Sequence, residues 1–237
     1  LFYFSFSDTL LSIHWRYLKV SKEMIGNIIA IGLPGALNTL IMSVSHILTN
    51  NVAISYGENT MAASGIMGRL LAIGIFLQMG IAQGYQPFAG YNYGSRDFNR
   101  LKKGFFVALG LSAIVGGTIA GTFWGFGKNL VGLFIENEEV VLKSVLMINA
   151  FAWALPLFAF NFLTSMTFQS AGRPHLALML VLLRQLVLFL PMLYTLNYFF
   201  GFKGFILAQP LSDLPIGCLA FFLVHRFFKD TISAYQK

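Results

Sequence analysis

Charge is what this sequence lacks most. Only 11% of its 237 residues are Asp, Glu, Lys or Arg, against 57% hydrophobic, where soluble domains carry about 25% charged residues. A chain this poor in charge cannot cover a water-facing surface. Cysteine is nearly absent: Cys218 is the single one, which excludes an intrachain disulfide and any Cys/His metal spacing. Catalytic signatures are missing as well. There is no HExxH, no GxSxG elbow and no GxxxxGK[ST] loop, so neither metalloprotease, hydrolase nor nucleotide chemistry is indicated. No catalytic residue, metal ligand or cofactor is expected.

What the chain has is long apolar runs, 25 Phe and 23 Gly. A bilayer core about 30 Å thick takes about 20 apolar residues per helix. Six runs qualify: residues 25–52, 61–91, 104–126, 144–171, 176–200 and 204–228. They are continuous rather than alternating, which excludes a β-barrel pattern. Pro156 and Pro191 fall inside the fourth and fifth runs and predict kinks there. Gly117 and Gly121 form a GxxxG-like pair on the third run, which reads as close helix packing. The fold class is therefore all-α, a polytopic six-helix membrane lobe.

Basic residues cluster between runs. Arg16, Lys19, Lys22, Arg96, Arg100, Lys102, Lys103, Arg173, Arg226, Lys229 and Lys237 fall on one side, and only Lys128, Lys143 and Lys203 on the other. Such clusters read as topology rather than nucleic-acid binding, and place the richer side and the C-terminus in the cytoplasm of a bacterial inner membrane. The opening LFYFSF, without Met, is expected to be the tail of an earlier helix in a truncated sequence. Residues 1–24 then form that tail and an amphipathic linker, 25–228 the lobe, and 229–237 a cytoplasmic tail.

Polar groups at membrane depth need a reason. Asn38, Ser45, His46, Thr49 and Asn50 mark one polar stripe on the first run, which either lines a cavity or bonds to neighbouring helices. A neutral, hydrogen-bonded His46 is favoured over a proton carrier. Arg69 either snorkels to an interface or pairs within the bundle. Gln83, Gln86 and Pro87 lie on the second run, Asn161 on the fourth. Asp213 is the one carboxylate inside any run. It could carry a proton, but a neighbouring Arg184 makes a structural ion pair the favoured reading.

Five short motifs give the sequence a family look. Ile31-Gly32-Leu33-Pro34 opens the first run, Gln86-Pro87-Phe88-Ala89-Gly90-Tyr91-Asn92-Tyr93-Gly94 closes the second, and Phe168-Gln169-Ser170-Ala171-Gly172-Arg173-Pro174 joins the fourth to the fifth. Leu183-Arg184-Gln185 and Ala208-Gln209-Pro210-Leu211-Ser212-Asp213 follow. In order and spacing they resemble the C-terminal lobe of the multidrug and toxic compound extrusion (MATE) family, over about residues 21–228. The resemblance implies two six-helix lobes around a cavity, exporting organic cations by alternating access in exchange for Na⁺ or H⁺. It implies a missing N-terminal lobe as partner, together with the bilayer and small cationic or amphipathic substrates.

On that reading Asn38, His46, Gln83 and Asn161 are substrate-cavity candidates. Arg69, Gln86, Pro87, Arg184 and Asp213 are structural or gating candidates. Some family members carry acidic cation ligands on the first and fourth helices of this lobe. Here those stretches read Leu40-Ile41-Met42-Ser43 and Phe160-Asn161-Phe162. The coupling ion is therefore expected in the other half. A lipid-linked oligosaccharide flippase and an inactive assembly fragment are the alternatives; a membrane-embedded enzyme lacks its clustered His, Asp and Glu.

Overall fold

The computed structural model describes residues 21–235, the side chains of 27–35, 38, 234 and 235 excepted. The expectation for the first residues, the Ile31–Pro34 side chains and the Asn38 side chain thus lie outside the described residues. Among those described, every regular element is helical. Helices α1 (Lys22–Ser55), α2 (Glu58–Gly94) and α3 (Phe98–Gly132) follow the first three runs. The Ser21 side chain caps α1 by accepting from the Met24 N–H at 3.1 Å. Asp97 does the same for Arg100 on α3 at 2.9 Å. Each cap satisfies one of the orphan N–H groups of a first turn.

The fourth run is not one kinked helix. It is two, α4 (Glu138–Ala152) and α5 (Leu155–Ser170), bent by 49° at Trp153–Ala154. Pro156 sits in the first turn of α5, where its missing N–H costs no hydrogen bond. The proline therefore starts the second segment rather than kinking a continuous one. The fifth run begins as α6 (Pro174–Leu182) and widens into a π-helical turn, Leu183–Phe189. Pro191 follows immediately. It has no N–H to offer the Val187 carbonyl, and the wider turn resets the ladder around that gap.

The last element, α7 (Leu190–Tyr235), is a helical hairpin broken at Gly201, whose φ of 56° and ψ of −137° lie outside the helical region. The span Pro174–Ser233 is 60 residues long, about 90 Å if straight, three times a bilayer core. A Cβ on Gly204 would overlap the Leu196 carbonyl oxygen, so the two limbs fold back closely. With α2, α3 and the α4–α5 pair also apolar enough to cross, and α1 34 residues long, the chain makes a multi-pass bundle.

The bundle is zipped by a constant register. Asn59 pairs with Glu139 (2.6 Å), Thr60 with Lys143 (2.9 Å) and the Ala63 carbonyl with Ser144 (3.4 Å). Below the bend, Tyr85 meets Thr167 (3.4 Å) and the Gln86 carbonyl accepts from Ser170 (3.1 Å). Partners stay 80 to 84 residues apart throughout, so α2 and α4–α5 run parallel and side by side. Two apolar clusters fill the two ends, one around Leu71, Met147 and Leu193, the other around Phe105, Phe168 and Phe227.

Tight glycine contacts fall elsewhere than the GxxxG-like pair suggests. A Cβ on Gly117 or Gly121 would meet nothing within 4 Å, whereas one on Gly116 would come 2.8 Å from the Gln78 amide. Gly117 and Gly121 lie on the exposed face of α3; one residue, or 100° of helix, separates the two faces.

Tyr56, at the α1–α2 turn, donates to Asn197 Oδ1 at 2.6 Å and packs edge-on against Phe202. It pins that turn to the α7 hairpin. Tyr56→Phe keeps the ring and removes the hydrogen bond, so it should lower stability by about 1 kcal/mol, read as a shift in the thermal unfolding midpoint in detergent.

Candidate functional site

Two connected hollows, of about 140 Å³ and 160 Å³, open inside the bundle. Met42 and His46 of α1, Met67 and Gly68 of α2, Phe151 of α4, and Gln185 and Gln209 line both. The first extends to Ser45, Thr49 and Asn50; the second to Phe158, Arg184 and Asp213. All but Phe158 of these last were marked by sequence as polar groups at membrane depth. The polar face of α1 therefore meets the last two helices across a small cavity.

At one end of the hollow lies a bidentate ion pair. Arg184 Nε donates to Asp213 Oδ1 at 2.7 Å and a terminal nitrogen to Oδ2 at 3.2 Å. The Asp213 side chain is 1% exposed and that of Arg184 is 20%. The guanidinium lies over the Phe158 ring, 5.1 Å from its centroid. Gln209, one turn before Asp213, adds a weaker bond at 3.4 Å. The fork geometry matches both carboxylate oxygens, and the aromatic face takes up part of the remaining positive charge. The pair is electrically neutral, so the cavity holds no net charge there. Arg184 and Gln185 reach it from the start of the π-helical turn.

The other sequence candidates scatter. His46 lines the hollow. Gln83 and Arg69 are exposed on α2 and line neither hollow. Asn161 is buried on α5, and neither of its amide atoms has a hydrogen-bond partner among the described residues. Gln86 contributes its carbonyl to Ser170, and α2 continues through Pro87 to Gly94. The hollow also uses Gln185, Gln209, Phe151, Phe158 and Phe189, which are not among the candidates. For Gln209 a signal existed: four residues before Asp213, it shares that helix face. For the phenylalanines there was none in a chain with 25 of them. No cluster of metal-binding side chains occurs among the described residues.

A multi-pass helical bundle, with an interrupted pair of spans and a polar hollow walled by them, has the architecture of a membrane transporter lobe. The MatE family profile matches residues 34–195, and the chain belongs to that family, one of transporters rather than enzymes. Among curated relatives, the multidrug export protein MepA of Staphylococcus aureus (strain MRSA252) is 27% identical over 236 residues, covering 97% of this chain and 51% of that protein. MepA of Staphylococcus haemolyticus (strain JCSC1435) is 26% identical over 223 residues, 94% of this chain and 49% of that one. The chain thus spans about half the length of the curated relatives it matches.

Solved structures agree on the fold. An outward-facing MATE multidrug resistance transporter superposes with a TM-score of 0.86 at 23% identity, over 98% of this chain and 53% of that one. A MATE in its bent conformation gives 0.87 at 23% identity, over 99% and 53%.

Proposed function

We propose that this chain works as the C-terminal lobe of a multidrug exporter that expels organic cations and amphipathic drugs in exchange for an inward-moving ion. The N-terminal lobe would be its partner, the bacterial inner membrane its place, and the C-terminus cytoplasmic by the distribution of basic loops. The observation that carries the reading is the chemistry of the hollow. His46, Gln185 and Gln209 offer polar groups, Phe151 and Phe189 offer aromatic rings, and the carboxylate present is already held by Arg184. Such a surface takes bulky cations by aromatic and dipolar contacts without a fixed counter-charge. Among the described residues it also leaves no free acid for the coupling ion, in keeping with an ion site in the other lobe. The bend at Trp153–Ala154 and the π-helical turn supply the local give for rocking of lobes.

A flippase for lipid-linked oligosaccharide would want free cations for a pyrophosphate, and the arginine at this hollow is neutralised.

The test is drug susceptibility in an efflux-deficient bacterium expressing the full-length gene. Resistance to cationic dyes that survives Na⁺ removal but collapses with a protonophore means proton coupling; resistance that follows Na⁺ means sodium coupling. No resistance despite membrane expression overturns the reading. In everted vesicles, Gln185→Ala should raise the apparent KM for dye about two- to tenfold, the worth of one lost hydrogen bond, with expression unchanged.

A further inference from the structure

Sharing no lining residue with the hollow, a groove of about 960 Å³ runs between α3, α5 and the second limb of α7. Its α7 wall recurs in three- and four-residue steps: Leu214, Cys218, Phe221, His225, Phe228 and then Ile232. That is one continuous helix face. Rings line the middle of the groove. Phe105 meets Phe160 and Phe228 at centroid distances of 6.2 and 5.5 Å, and Phe160 meets Phe221 at 6.4 Å.

Among the described residues that line it, charge appears only at one end. Lys102 and Lys229 stand there beside the His225 ring, all exposed. Neither Lys102 nor Lys229 has an acidic partner among the described residues, because neighbouring Asp230 pairs with Arg226. The apolar stretch from 214 to 224 is about 15 Å long, half of a bilayer core and so the depth of one leaflet. Beyond it the groove turns basic, where headgroups would lie.

We infer that this groove is a binding site for a single anionic phospholipid, its acyl chain along the Phe-lined face and its phosphate between Lys102 and Lys229. The charge decides the occupant. A drug cation would be repelled from the basic rim, and a zwitterionic lipid would bring its own cation to the same place. A paired, unscreened phosphate satisfies both lysines. The site does not depend on the transport reading, since it uses none of the residues of the hollow.

The experiment is native mass spectrometry of the protein extracted in mild detergent, titrated in parallel with phosphatidylglycerol, phosphatidylcholine and inorganic phosphate. One phosphatidylglycerol should be retained at a tenfold or more lower concentration than phosphatidylcholine, and phosphate alone should not compete. The double variant Lys102→Gln/Lys229→Gln should bring the two lipids level, and Lys102→Arg/Lys229→Arg should restore the preference. Cys218→Trp, which fills the apolar end and leaves the rim intact, should also expel the lipid. Equal retention of both lipids, a preference that survives the Lys→Gln pair, or competition by phosphate at equal concentration would each overturn the site.

Discussion

Asp213→Leu is expected to lower the stability of the bundle by about 3–5 kcal/mol, the usual effect of removing one partner from a buried pair. The substitution leaves the Arg184 guanidinium over the Phe158 ring without its anion. Arginine cannot shed its charge, and at membrane depth the rest of its hydration is costly. The converse variant, Arg184→Met, should be milder, because a lone buried carboxyl escapes by taking up a proton. The double variant Asp213→Leu/Arg184→Met should recover most of the loss. Thermal unfolding followed by fluorescence-detected size exclusion reads all three. If the double variant is as unstable as the sum of the singles, the pair is not the unit described above. The transport assay on the same variants then separates roles: a folded double variant that still exports dye makes the pair purely structural.

Gly204→Ala should be nearly as damaging, at about 3 kcal/mol. Its added methyl meets the Leu196 carbonyl oxygen, which is backbone and cannot rotate aside, so the hairpin must open; overpacking of this kind costs about 1–3 kcal/mol or occasionally more. Gly117→Ala and Gly121→Ala are the controls, with open space around both, and should be neutral or slightly stabilising. A Gly204→Ala variant as stable as these would mean the two limbs of α7 do not approach as closely as the structure places them.

Much of this was readable in the residues. Apolar length alone marks the runs, because in lipid only a helix satisfies its own backbone. The ion pair was readable too, since a lone Asp and a nearby Arg at membrane depth have few other partners. The break at Trp153–Ala154 was not. Pro156 announces a disturbance in the fourth run, but whether it kinks a helix or begins one depends on neighbours that local sequence does not contain. The hairpin illustrates the same limit: Gly201 and Gly204 look alike in sequence, yet one supplies a positive φ of 56° and the other a bare surface for Leu196. The aromatic wall of the hollow was invisible for a different reason. Phenylalanine suits a lipid-facing surface, a core and a cation-binding face equally well, and only packing assigns each ring.

The constant register of α2 with α4–α5 also sets a clock. Each partner of α2 lies some 80 to 84 residues further along. At a synthesis rate of about 5–20 residues per second, α2 leaves the ribosome roughly 4–17 s before the segment that will complete it. Through that interval the hairpin of α2 and α3 must hold itself in the membrane. It has the means to do so: Gln78 donates to the Ser112 carbonyl at 2.9 Å, and Gly116 lets the two helices come close enough for that bond to form. A substitution at Gly116 would thus act on the half-made protein first, as lost yield during insertion, before it showed in the stability of the molecules that succeed.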